Sequence, residues 1–217
     1  MVARPPAGNR KSSNDRRLTT EEEHRLVERF REDAPGAMQD LVERYEEGLY
    51  NFGLRMCGQK EDAEDIMQET FLSAFSNLEN FREEARLKNW LFKIAANACY
   101  RKRRKKSREP DYELSLDSLL PGGDGEPESY QIPDISSDPS EELLRAEFKE
   151  VVREALNSLP PKYRMTFSLR DMEGFSTEET AEIMGVSPQA VKTRLHRARL
   201  FLRKAISEHY RKDQAGA

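Results

Sequence analysis

The feature that most constrains this chain is a helix stop and a helix start set almost back to back near the C-terminus. Residues 176–199 read STEETAEIMGVSPQAVKTRLHRAR. Ser176 and Glu179 have the spacing of a capping box, so a helix begins there. Gly185 can take the positive φ that ends it. Ser187 is an N-cap, and Pro188 fits the first position of a second helix. Ala181 leaves room for a close helix crossing, and Ile183, Met184, Val186, Val191 and Leu195 supply an apolar seam. A connection this short sets two helices at a steep angle, as in a helix-turn-helix. A plain helical hairpin with a solvated basic face is the alternative, and the Ala–Gly–Ser-Pro punctuation argues against it.

The second of these helices carries Gln189, Lys192, Thr193, Arg194, His196, Arg197 and Arg199, with no acid from Ser187 to Lys204. Gln, Lys and Arg can read base edges, and the cations also neutralise phosphates. With Ser187 at the cap, these residues are candidate contacts to duplex DNA. A net charge of −4 is unexpected for such a binder, so the charges must be segregated along the chain.

Segregation is what the sequence has. Residues 1–18 hold Pro, Gly, Ser and scattered cations with almost nothing apolar, and read as a disordered tail. Residues 19–107 read as one helical domain. Thr20 and Glu23 fit a capping box that opens a helix to about Asp33. A second helix follows Pro35-Gly36 with Met38, Leu41, Val42, Tyr45, Leu49, Phe52 and Met56 at helical spacing, and Gly58 can end it. The third has the stripe Ala63, Ile66, Met67, Thr70, Phe71, Ala74, Phe75, Leu78, and a fourth runs from about Leu87 to Lys106. Residues 108–141 bring five prolines, the Gly122-Gly123 pair and many acids, with Arg108 at the edge as the one cation. They read as a flexible acidic linker extended by its own repulsion. Residues 142–210 form a second helical domain, and 211–217 a short disordered tail. The fold class is all-α, two small helical domains joined by an extended acidic linker. With 35% charged and 36% hydrophobic residues, the chain suits small helical units better than one large core.

Several classes fall away. No apolar stretch approaches the roughly 20 residues that span a bilayer, so no membrane insertion is expected. The N-terminus lacks the apolar run of a signal peptide, which points to a cytoplasmic protein. Cys57 and Cys99 are far apart and not in CxxC spacing, and His24, His196 and His209 are not at metal-ligand spacing from them. They read as reduced thiols, with no metal and no cofactor. No carboxylate pair, nucleophile constellation or phosphate loop suggests an enzyme.

Two further charge patterns remain. From Arg86 to Arg108 there are ten cations and no acid, interleaved near Phe81, Trp90, Phe92 and Tyr100. Cations with aromatics suit single-stranded DNA, whose bases rest on rings once unstacked. Trp90 and Phe92 fit a hydrophobic core equally well. On the preceding helix Glu61, Asp62, Glu64, Asp65 and Glu69 crowd the side opposite the apolar stripe. Helix-dipole complementarity explains two or three of these acids, a docking face for a basic protein is the other reading, and charge alone does not decide between them.

These residues resemble a known family, the extracytoplasmic-function (group 4) sigma factors of the sigma-70 family. DAEDIMQETFLSAF at 62–75 is similar to its region 2.2. FREEARLKNWLFKIAANACYRKRRKK at 81–106 is similar to regions 2.3 and 2.4, and the stretch 156–206 to region 4. The resemblance implies an alternative sigma factor that binds core RNA polymerase, recognises −35 and −10 promoter elements and promotes DNA melting. It implies that Asp65, Gln68 and Glu69 dock on the β′ clamp helices. The melted non-template strand of the −10 element would meet Asn80, Phe81, Arg82, Arg86, Lys88, Trp90, Lys93, Asn97, Arg101 and Arg104. Region 4 would read the −35 duplex through the helix-turn-helix residues and touch the β flap, and a cognate anti-sigma factor is a further implied partner. The loop departs from the family in having Glu83 where a glycine is common and Arg86 where a small residue is. A stand-alone operator-binding regulator and a polymerase-binding adaptor are the rival readings. The first has no use for the acidic helix, and the second none for two acid-free basic segments.

Overall fold

The computed structural model describes residues 20–81, 86–106, 113–115, 119 and 139–215. The expectations for the tail 1–18, for residues 82–85 and for most of the linker therefore lie outside the described residues. Every regular element among the described residues is helical. The first unit consists of α1 (Thr20–Arg31), α2 (Ala37–Cys57), α3 (Lys60–Asn77), a single tight turn at Leu78–Asn80, and α4 (Leu87–Lys106). The second consists of α5 (Pro139–Ser158), α6 (Pro161–Phe167), α7 (Thr177–Met184) and α8 (Pro188–Ala215). A widened turn, Ser168–Met172, continues α6, with the Glu173 N–H bonded to the Ser168 carbonyl at 2.9 Å. None of these helices is long and apolar enough to cross a membrane.

Helix ends follow local chemistry. Gly58 ends α2 with φ 75° and donates its N–H to the Leu54 carbonyl at 2.8 Å. α8 runs on to Ala215, past the expected end near residue 210, because no Gly or Pro interrupts it before Gly216. The Thr20 side chain, on which the expected capping box rests, lies outside the described residues, and Glu23 serves a longer-range contact. That carboxylate is buried and crosses to α4, where it accepts the Leu87 N–H at 3.2 Å and pairs with Arg86. A carboxylate at the N-terminus of another helix meets unsatisfied N–H groups and the positive end of its dipole.

The apolar stripes pack as their spacing requires. Leu41, Leu49, Phe52 and Met56 of α2 meet Ile66, Phe71 and Ala74 of α3 and Leu91, Phe92 and Cys99 of α4. Gly53 permits a close crossing of α2 and α3: a Cβ there would sit 3.1 Å from the Ala63 Cα. Met38, read as part of the α2 stripe, is exposed instead. A second cluster joins Ala155, Leu156, Leu159, Tyr163, Ala198 and Leu202.

The two units also share a core. Met165, Leu169, Phe175 and Ile183 of the second belong to the cluster of the first. Phe92 and Phe175 meet edge to face at 5.0 Å, an arrangement worth about 0.5–1.5 kcal/mol beyond the area it buries. The described pieces of the linker are docked. Leu114 and Leu119 are buried in the second cluster, and the Leu114 N–H donates to the Tyr163 hydroxyl at 3.1 Å. Apolar anchors overcome acid repulsion at these positions.

Candidate nucleic-acid interface

The helix-turn-helix forms as its punctuation dictates. The Ser176 hydroxyl accepts the Glu179 N–H at 3.0 Å, and the Glu179 carboxylate accepts the Ser176 N–H at 2.7 Å. Gly185 has φ 64°. The Ser187 hydroxyl caps α8 by accepting the Ala190 N–H at 3.2 Å. Val191 and Leu195 are buried, so α8 turns its other side outward: Ser187, Gln189, Lys192, Thr193 and His196 are exposed and Arg194 half-exposed. The remaining two candidates have protein partners. Arg199 grips Asp171 through two bonds of 2.8 and 2.7 Å, and Arg197 pairs with Glu113 of the linker at 2.8 Å. Glu113 also holds Lys162, which with the Tyr163 hydroxyl keeps its carboxyl below the usual range.

On α4 the structure divides the candidates in two. Lys93, Asn97, Arg101 and Arg104 are exposed, and their steps of four, four and three place them on one face. Trp90 begins that face, half-buried, its ring 4.9 Å from that of buried Phe81. Phe92 is core. Arg86 and Lys88 point elsewhere. Arg86 is tied to Glu23, while the Lys88 ammonium donates to the Glu173 carbonyl at 3.0 Å and lies 4.7 Å from the centre of the Phe175 ring. The side chain of Asn80, and Arg82 entirely, lie outside the described residues.

Asp65, Gln68 and Glu69 come together on the outer side of α3. They line an open groove of about 770 Å³ whose far wall is Ala98, Arg101 and Lys102 of α4. Arg101 pairs with Glu69, and Lys102 with Asp65 at 2.6 Å and Asp62 at 3.0 Å. Asp62, read as one of the outward acids, is buried by this pairing. Leu72 escaped the sequence reading. It lines the groove at 68% exposure, and its signal was available: it is the apolar residue on an otherwise polar face, four positions after Gln68. Acidic docking candidates and basic DNA candidates thus share one groove.

Sequence reasoning also missed the polar junction between the units. The Glu173 side chain, 7% exposed, pairs with Arg55 of α2. Burial raises the Glu173 carboxyl and lowers the Arg55 guanidinium, each opposed by the charge of the other. Asn89 donates to Glu179 at 3.3 Å, and buried Arg164 donates to the Met56 carbonyl at 3.1 Å.

Each of the two units matches a known family. The sigma-70 region 2 family matches residues 41–109, and the sigma-70 region 4 family matches residues 149–202. The ECF RNA polymerase sigma factor SigW of Bacillus subtilis is 33% identical over 172 residues, 79% of this chain and 90% of that protein. The RNA polymerase sigma-H factor of Pseudomonas aeruginosa is 31% identical over 87% of this chain and 96% of its own length. Among solved structures, the sigma factor RpoE in complex with the anti-sigma factor NepR, from Bartonella quintana, is similar with a TM-score of 0.57. It is 25% identical, over 79% of this chain and 98% of that one. CnrH, solved with the cytosolic domain of CnrY, shares the fold at a TM-score of 0.59 and 20% identity, over 86% and 97% of the two chains.

Proposed function

The chain belongs to the extracytoplasmic-function sigma factors of the sigma-70 family, and on that premise we propose that α4 and α8 are its two promoter-reading helices. It is an alternative sigma factor: it binds core RNA polymerase, recognises the −35 and −10 elements and promotes melting. Such a factor works by binding and not by turnover, and its place of work is the cytoplasm. The exposed face of α8, with Gln189, Lys192, Thr193, Arg194 and His196, enters the −35 major groove. The stripe Lys93, Asn97, Arg101 and Arg104, with Trp90 at its head, receives the melted non-template strand. Asp65, Gln68 and Glu69, with Leu72 among them, dock on the β′ clamp helices.

The observation that carries this reading is the α4 stripe. An acid-free helix with the exposed cations Lys93, Arg101 and Arg104 on one face, beside a half-exposed indole, suits a strand whose bases have left the stack. Trapping unstacked bases shifts the closed–open equilibrium of the promoter toward the open form without hydrolysis. A regulating anti-sigma factor belongs to the reading as well. RpoE is solved in complex with one, and the junction between the units supplies a closed state that such a partner could hold.

Run-off transcription with core polymerase is the test. The full chain should direct a transcript from a template bearing its −35 and −10 elements, and from neither element alone. Duplex binding without any polymerase-dependent transcript would instead identify a stand-alone regulator.

A further inference from the structure

Glu113 lies in the linker, and three donors of the second unit converge on its carboxylate. Lys162 reaches it at 2.8 Å, the Tyr163 hydroxyl at 3.0 Å and Arg197 at 2.8 Å. Tyr163 is wholly buried, so its hydroxyl is a fixed floor of this cradle, and it also accepts the Leu114 N–H at 3.1 Å. Leu114 and Leu119 anchor the linker in the apolar cluster with Leu156, Leu159 and Leu202. The Glu113 side chain itself is 69% exposed. The cradle is thus built from below and open to solvent above, where another anion can take the carboxylate's place.

We propose that linker residues 113–115 and 119 form a strap that competes with duplex DNA: the Glu113 carboxylate fills a cradle that a backbone phosphate takes when α8 engages. The proposal rests on the reading of α8 as the −35 helix. Arg197 follows Thr193 by four residues and Arg194 by three, so it borders the face assigned to the duplex. A helix seated in a major groove has the sugar–phosphate backbone along its flanks, and cations there neutralise phosphates. Two cations and a hydroxyl offer the donors that a phosphate needs. While Glu113 holds them, the duplex loses their contacts and meets a like charge in their place.

Two features make the strap a competitor and not a permanent part of the interface. Ion pairs on so exposed a carboxylate are weak, so a phosphate displaces it at modest cost. The anchoring leucines keep the carboxylate at high effective concentration, so it returns whenever the DNA leaves. Linkage makes the effect reciprocal: the strap weakens duplex binding by the factor by which the duplex weakens the strap. Acids that read as a passive linker therefore set a threshold for α8 on DNA.

Binding of the full chain to a fluorescein-labelled duplex of random sequence is followed by anisotropy at low salt, since phosphate contacts do not depend on sequence. Glu113→Gln, which breaks the ion pairs, should bind about fivefold more tightly than the parent. Leu114→Ala keeps the charge and loosens the anchor, and should shift affinity the same way by a smaller factor. Tightening by Glu113→Gln alone would mark a general charge effect and sink the strap. Because Leu114→Ala can perturb the fold, the wild-type chain gives a second measure. Its Leu114 amide should be protected from hydrogen exchange when free and lose that protection in saturating duplex, and protection kept in the complex would also overturn the proposal. Equal affinity of the parent and Glu113→Gln, with Lys192→Ala weakening both, would remove the strap and leave the α8 reading standing. Duplex binding indifferent to both Lys192→Ala and Arg194→Ala would remove the α8 reading, and the strap with it.

Discussion

α4 and the first half of α8 are both acid-free and basic, yet the structure treats them differently. On α8, Lys192, Thr193 and His196 face solvent, and the pairs Arg197–Glu113 and Arg199–Asp171 flank them. On and just before α4, Arg86, Lys88, Arg101, Lys102 and Arg103 are each bonded to an oxygen of the protein itself. A run of like charge in sequence states what a face is made of and not whether it is available. The α8 face proposed to read a duplex is exposed as it stands. The α4 face must exchange partners, and the cost depends on burial. Exposed pairs such as Arg101–Glu69 are worth about 0–1 kcal/mol and yield easily to phosphate. The buried junction beside Lys88 does not.

The strongest way to break this contrast is at that junction. Glu173→Ala leaves the largely buried Arg55 without its counter-charge, and should lower unfolding free energy by on the order of 3 kcal/mol in urea denaturation. A change within about 0.5 kcal/mol, typical of open surfaces, would mean that the junction is as loose as the α8 face.

The open face is tested next. Lys192→Ala should weaken binding to a −35 duplex by roughly 1–3 kcal/mol if the residue reads a base edge. Its folding stability should stay within about 0.5 kcal/mol of the parent, since the side chain is exposed. Unchanged affinity in both Lys192→Ala and Arg194→Ala would remove α8 as the reading helix.

Glu179 ties α7 to α4. Burial alone would raise its carboxyl, but donors from Ser176 and Asn89 outweigh burial and hold it below the usual carboxylate range. Its contribution is therefore present above the unfolded value of about 4.3 and lost as pH falls through the lower folded value. Glu179→Gln should cost about 1 kcal/mol near neutral pH, and the gap to the parent should close as the solution is acidified. A constant gap across pH would sink the assignment.

The smallest effect sharpens the groove. Glu69→Ala releases Arg101, so the free chain should bind a single-stranded −10 oligonucleotide more tightly, by up to about 1 kcal/mol at low salt. The same variant should bind core polymerase more weakly. Tighter DNA binding without loss at the polymerase would confine Glu69 to holding Arg101.

Much of this was legible beforehand, for identifiable reasons. The caps at Ser176 and Ser187 and the stop at Gly185 act within a few residues, so sequence spacing specifies them. The stripes of α2 and α3 were legible because burial selects apolar residues at the helical period, with Met38 the error at an exposed first turn. Leu72 was visible as a break in a polar face and was passed over. Phe92 and Trp90 could not be separated, because an aromatic at helical spacing serves a core or a stacking surface alike.

What the sequence determined by itself was every helix whose boundaries rest on local hydrogen bonding, and the acid-free character of the two basic helices. What the tertiary structure decided was which of those cations are held. Glu23 to Arg86, Glu173 to Arg55 and Glu113 to Arg197 all join residues far apart in the chain. Such contacts follow no period. They exist because packing the apolar faces of two helical units into one core fixes which polar groups are left side by side, and a buried charge must then find a partner among them.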